Sequence, residues 1–229
     1  NPENHDYDKS LKTYVCGVPH IFGWGGLHGA IGEIVDNKII NTPVHRKGLI
    51  LHVDVTSFYP SIMIQYDMLS RTVSDKSVYK KIYDTRVKLK KAGKKKEQEP
   101  YKLILNKTYG GSGDEFSKLF DPRKRNEVCV NGQLLLLDLL EKLENHCDVI
   151  QSNTDGLIIQ IPDTDEAFNM LDDICYRWET HCSTELCTIG LAFDQVDFIY
   201  QKDVNNYLFK FNGADKYERK GAYVKELSR

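Results

Sequence analysis

Two apolar runs in this chain each carry an aspartate, and that pairing limits what the chain can fold into. In "GLILHVDVTSFYPS" (residues 48–61) a β-branched, leucine-rich stretch contains Asp54 and is closed by Pro60. Such a run reads as a buried strand. The proline blocks further ladder pairing and suits the first turn of a helix, here "SIMIQYDML". In "DVIQSNTDGLIIQI" (148–161) two alternating apolar segments flank "NTDG", a hairpin signal with Asp155 in its turn. A strand-end acid capping a helix would account for Asp54, and turns favour Asp at a hairpin tip. The sharper reading places the two strands side by side, so that both carboxylates reach one sheet edge and bridge hard divalent cations. Mg²⁺ takes one or two carboxylates plus phosphate oxygens and water. Two such ions about 3.5–4 Å apart stabilise the attacking and leaving oxygens of an in-line phosphoryl transfer.

With 229 residues, 41% hydrophobic and 28% charged, the chain has the composition of a globular protein with one substantial domain or two small ones. Its net charge of −2 speaks against a polyanion partner only until the distribution is considered. Between Arg71 and Lys107, 13 Lys and Arg face four acids, a local charge of +9, while the rest of the chain carries −11. That asymmetry points to a polyanion at one element. The six cysteines show no C-x-x-C pair and no disulfide framework; Cys175, His181, Cys182 and Cys187 form a loose cluster that reads as core or as a metal site. No run has the length of a membrane span, and the polar opening has no signal-peptide pattern, so a cytoplasmic protein without a membrane partner is expected.

Residues 1–13 read as a frayed lead-in, and "VCGVPHIFGWGGLHGA" as a turn-laden loop. "IGEIVDNKII" alternates like a strand or a hairpin, with Asp36-Asn37 at its turn. Residues 76–91 have helical spacing at Val78, Ile82 and Leu89, "AGKKKEQEP" reads as a charged loop tip, and "YKLILNKTYGG" as a second helix ending at a glycine pair. Together they make a basic helical hairpin. A long amphipathic helix follows at 123–146, then the Asp155 hairpin, a helix at 165–182, and strand-like segments at 190–211 and 217–224.

At this point the motifs resemble those of a known family. "DVTSFYPS" is similar to motif A, D-x-x-S-L-Y-P-S, of family B (alpha-like) DNA polymerases, with Phe58 for Leu. "KLILNKTYG" matches motif B, K-x-x-x-N-S-x-Y-G, through Lys102, Asn106, Tyr109 and Gly110. "NTDG" resembles motif C, D-T-D-S, with Asn153 and Gly156 replacing its first and last residues. "FGWGGLHG" looks like the Y-x-G-G element without its Tyr, and "NNY" at 205–207 lies where the family has a lysine-rich motif ending in Tyr. The details look most like polymerases of bacteriophages and related mobile elements, which would place the protein in a bacterial host cytoplasm.

The resemblance implies roles residue by residue. Asp54 and Asp155 are the catalytic ligands of two Mg²⁺ ions, for which Mn²⁺ can substitute, and the Val55 carbonyl completes one shell. Arg86, Lys90 and Lys102, with the backbone N–H groups of Ser57 and Phe58, bind the triphosphate. Asn106 and Tyr109 line the nascent base pair, and Tyr59 stacks beneath the sugar. Gly25, Gly26, Tyr109, Gly110 and Tyr207 contact DNA. Plainer readings stand beside these: helix-end capping and packing for Asn106 and Tyr109, a simple turn for Gly25 and Gly26.

The fold implied is α/β, a polymerase palm with a split β-α-β antiparallel sheet bearing a short helical fingers hairpin. Residues 1–70 form its N-terminal part with a Gly-rich linker to a missing exonuclease domain, 71–112 the fingers, and 113–229 the remainder of the palm without a thumb. The implied function is template-directed DNA synthesis on primer–template DNA from dNTPs, by a fragment of a longer polymerase. The motif intervals of 48 and 53 residues leave no room for the insertions of protein-primed members, so no terminal-protein primer is expected. The rival reading is a non-catalytic nucleic-acid-binding palm remnant.

Overall fold

Nine strands pair antiparallel around the apolar run that carries Asp54. In the computed structural model, which describes residues 10–222 and 224, they are β1 (Leu11–Val15), β2 (Val18–Gly23), β3 (Gly26–Ala30), β6 (Val44–Val55), β7 (Asp148–Asn153), β8 (Gly156–Ile161), β9 (Leu191–Asp203), β10 (Asn206–Phe211) and β11 (Glu218–Lys220). Their order is β1-β2-β3-β7-β8-β6-β9-β10-β11, while β4 (Gly32–Val35) and β5 (Lys38–Asn41) form a separate hairpin. Five helices complete the described residues: α1 (Phe58–Gln65), α2 (Lys76–Lys91), α3 (Lys95–Gly111), α4 (Pro122–Leu143) and α5 (Asp165–Cys182). This is the expected α/β class with an antiparallel sheet.

The chain divides into two compact units. The first holds the strands, with the described residues up to Val55, Gln133–Trp178 and Leu191 onward. Side chains alternate along β6, so Ile50, His52 and Asp54 share one face. On that face Ile50 clusters with Ile150, Ile158, Val196, Ile199 and Phe209. Leu51, Val53 and Val55 are buried on the other face, and the apolar stripes of α4 (Leu136, Leu139, Leu140, Leu143) and α5 (Leu171, Cys175, Trp178) supply its cover. Trp178 donates its indole N–H to the Leu135 carbonyl at 3.1 Å, tying α5 to α4.

The second unit, Thr56–Gly132 with Glu179–Gly190, is helical. Helices α2 and α3 run antiparallel through a turn at Gly93, whose φ is 71°. Asp75 caps α2 by accepting from the Ser77 N–H at 2.9 Å, and Lys88, Lys90 and Lys91 lie in its last turn, where the helix dipole favours cations. Asp121 caps α4 in front of Pro122, accepting from the Lys124 N–H at 3.4 Å.

Several expectations from sequence need correction. The Gly-rich segment holds two strands, β2 and β3, and is not a loop, while the lead-in is strand β1 from Leu11; residues 1–9 lie outside the described residues. The buried stripe of α2 is Tyr79, Tyr83 and Arg86, whereas Val78 is 50% exposed. Buried tyrosines win because their hydroxyls find partners: Tyr79 donates to the Leu105 carbonyl at 3.2 Å and Tyr83 lies 3.0 Å from Ser61 Oγ. The charged tip is largely helix, since α3 starts at Lys95 and the Gln98 N–H already bonds the Lys94 carbonyl. The hydroxyls of Ser61 and Tyr79 and the Gln65 amide tie α1 into the helical unit, which also takes in 113–132 and 179–190. Of the strand expected at 217–224, residues 218–220 are strand, and residue 223 lies outside the described residues.

Candidate active site

The carboxylate edge is built by strand register. In the β6–β8 ladder Asp54 is paired with Gly156, and the Val55 N–H donates to the Asp155 carbonyl at 2.7 Å. Asp54 is half-buried at the end of β6, whereas Asp155 is exposed in the two-residue turn Thr154-Asp155, so the second acid is not the buried one the apolar flanks suggest. Gly156 permits this approach, because a Cβ there would lie 2.6 Å from the Val53 carbonyl oxygen. Asn153, which takes the place of an acid in motif C, turns its side-chain oxygen onto the Thr154 N–H at 2.9 Å and so shapes the turn itself.

Around this edge, within the same unit, burial pushes His28 and His52 below the ordinary histidine range, Lys220 adding to the effect at His28, while the charge of Asp155 opposes it at both rings. Both rings are therefore neutral near pH 7. Tyr207 is half-buried, its hydroxyl pushed up mainly by burial, and the ammonium of Lys220 lies 5.6 Å over its ring. Lys220 is the basic neighbour that the sequence around Tyr207 lacks; it arrives through the Tyr207–Lys220 pairing of β10 with β11. Lys210, by contrast, lies 3.8 Å from Asp197. Gly25 and Gly26 sit at the β2–β3 turn, against Thr154 rather than in open solvent alone: a Cβ on Gly26 would lie 2.8 Å from the Thr154 side chain.

The donor set suits Mg²⁺: two carboxylates from neighbouring strands, with the rest of an octahedral shell left to water or phosphate oxygens. Among the described residues no group of three or more His, Cys, Asp and Glu is arranged to hold a metal; Cys175, Cys182 and Cys187 are buried, His181 is exposed, and all six cysteines are free thiols. No helix among the described residues is long and apolar enough to cross a membrane.

The helical unit carries the cations and the aromatic wall. Ser57 adopts a left-handed conformation (φ 53°) ahead of α1, and its hydroxyl accepts from Arg86 instead of capping the helix. Arg86 is 7% exposed and also donates to Gln98 Oε1 at 3.1 Å, so it is an interior group held in place, not a free cation. Lys90 donates to Thr56 Oγ1 at 3.3 Å. Lys102 and Asn106 are exposed one turn apart on α3, with Tyr109 and the exposed Gly110 a turn further on. Phe58 is buried, and the ring of Tyr59 meets that of Tyr109 edge-on at 4.6 Å. Arg125 lies 5.8 Å from the Tyr109 ring, and Gly132 makes room for Tyr59, where a Cβ would come within 2.8 Å of the ring. Sequence reasoning missed Gln98, Gly132, Thr154, His28 and Lys220; all act through partners distant in the chain, and only the "NTDG" signal hinted at one of them.

No protein-family model matches this sequence, and no curated protein matches it. Among solved structures the chain is similar to the family B DNA polymerase from the hyperthermophilic archaeon Pyrobaculum calidifontis, with a TM-score of 0.60 and 15% identity over 96% of this chain. The chain spans 30% of the length of that polymerase. At this identity the likeness defines the fold alone: the chain has the fold of part of that family B DNA polymerase.

Proposed function

We propose that this chain is the palm and fingers of a DNA polymerase that extends a primer on a DNA template from dNTPs. The observation that carries the reading is the β6–β8 register, which brings the acids of motifs A and C to neighbouring strands. Two Mg²⁺ ions held there would lower the charge on the reacting phosphoryl group and polarise the attacking and leaving oxygens. Asp54 and Asp155 would bind them as carboxylates, with the Val55 carbonyl as a further oxygen. In the helical unit, Lys102 and Lys90 supply exposed positive charge for a triphosphate, and Arg86 fixes the loop around Ser57, whose backbone N–H and that of Phe58 suit phosphate oxygens. Asn106 and Tyr109 fit a base-pair wall and Tyr59 a sugar platform. Gly25, Gly26, Gly110 and Tyr207 fit contacts to the DNA strands.

The motif details look most like those of phage and mobile-element polymerases, and the motif intervals favour ordinary primers over a terminal protein. The test is primer extension in Mg²⁺ by the complete polypeptide whose reading frame contains this segment, with Asp155→Asn as control. Extension that Asp155→Asn abolishes supports the reading; equal extension by both proteins overturns it.

A further inference from the structure

The turn that carries Asp155 is held from outside its own hairpin. Thr154 Oγ1 lies 3.2 Å from the Gly25 carbonyl oxygen and 3.1 Å from His28 Nε2. The hydroxyl thus sits between a carbonyl oxygen, which can only accept, and a ring nitrogen whose part as donor or acceptor follows the tautomer. Gly25 belongs to the β2–β3 turn and His28 to β3, so one hydroxyl bridges two hairpins that the chain separates by more than a hundred residues. The fit is close. Gly26, at φ 120°, packs its Cα against the Thr154 side chain with no space for a Cβ. The far side of the turn is fixed as well, by Asn153 Oδ1 on the Thr154 N–H and by the Val55 N–H on the Asp155 carbonyl. Of the two turn residues, Thr154 is therefore gripped at both its side chain and its amide. Asp155, one bond along, is fixed at its carbonyl and exposed at its carboxylate.

We propose that Thr154 and His28 are positioning residues: the β2–β3 hairpin, acting through the Thr154 hydroxyl, sets the place of the Asp155 carboxylate and thereby the affinity of the carboxylate edge for divalent cations. This rests on the two-carboxylate metal reading above. Partners that hold a ligand in place are worth about 10–100-fold in metal affinity in comparable sites. A hydroxyl that only packed would leave metal affinity untouched when replaced by a methyl of the same shape.

The test measures Mn²⁺ binding to the 229-residue chain by water proton relaxation, with thermal midpoints recorded alongside. Asp155→Asn should remove most of the binding. Thr154→Val should weaken it about tenfold, Thr154→Ser should restore it to within about twofold, and His28→Gln should fall between them. Should Thr154→Val fail to fold, His28→Gln carries the same comparison. Wild-type affinity in both Thr154→Val and His28→Gln, with Asp155→Asn defective, overturns the positioning role and leaves the metal reading intact. Wild-type affinity in Asp155→Asn, or no binding by the unmodified chain, overturns the metal reading and this inference with it.

Discussion

The amide of Val55 donates to the carbonyl of Asp155 at 2.7 Å, so the strand end that carries the first acid is stitched directly to the turn that carries the second. That bond runs between backbone groups and passes through neither carboxylate. Replacing either carboxylate by its isosteric amide should therefore leave the frame intact. Asp54→Asn and Asp155→Asn should each lower primer extension about a thousandfold or more in the complete polypeptide, the loss of several kcal/mol of transition-state stabilisation. Thermal midpoints should stay near that of the parent. Asn153→Asp should be tolerated, since a carboxylate oxygen can accept the Thr154 N–H as the amide oxygen does. Strong loss at Asn153→Asp, measured by the same extension assay, would mean that the second acid is misassigned.

The two cations of the helical unit should behave differently. Lys102 is exposed, so Lys102→Ala should raise the KM for dNTP and lower kcat without changing stability. Arg86 is buried on Ser57 and Gln98, so Arg86→Ala should also destabilise the helical unit, by about 1–3 kcal/mol, because it strands the Gln98 carbonyl oxygen. Chemical denaturation alongside steady-state kinetics separates the two. Replacing Lys94, Lys95 and Lys96 together should alter little beyond salt sensitivity, and a larger effect there than at Lys102 would place DNA at the tip.

Tyr59 is packed edge-on to Tyr109 above Gly132, which makes it a stiff wall. Fit alone rejects an added hydroxyl only about a hundredfold, and a closely packed ring does better because displacing it costs several kcal/mol. Tyr59→Val should admit ribonucleotides at least about tenfold more readily, a change of about 1.4 kcal/mol, while dNTP use falls modestly. Competition assays with rNTP and dNTP give the ratio. Equal loss of both substrates would make Tyr59 packing only.

Asp121 gives a pH dependence. Arg71 grips its carboxylate through Nε at 2.9 Å and Nη2 at 2.8 Å, and these bonds hold its pKa well below the usual carboxylate range. A group with a lowered folded pKa contributes stability above its unfolded pKa and loses it as pH falls toward the folded value. The stability advantage of the parent over Asp121→Asn should thus be full at pH 6 and shrink steadily below about pH 5. Urea midpoints at pH 6 and pH 3 test this.

What could be read from the sequence was local. The periodicity of α2 and α5 gives their limits, 76–91 and 165–182, and Asp36-Asn37 announces its hairpin because both residues tolerate the positive φ of 49° and 57° found there. The acids could be paired because each sits in its own strong strand signal. The β2 and β3 strands could not be read, since their glycines carry no alternation; Gly29 lies under the His20 ring and Gly26 against Thr154, contacts that the local pattern does not encode. The buried face of α2 was misjudged by one residue, because tyrosine hydroxyls found distant partners that no local pattern encodes. The same holds for Lys220 beside Tyr207, which only strand register brings together.

Gly156 has a consequence for anyone repairing this sequence by majority rule. In the motif it resembles, that position is serine, and restoring the serine would look conservative. Here its side chain would have to enter the 2.6 Å gap before the Val53 carbonyl and press toward Asp54 itself. The glycine and the spacing of strand β6 from the Asp155 turn depend on each other. A graft of the common residue into this background should wedge the ladder open at the carboxylate edge, and the change would become neutral only if the strands were redesigned with it.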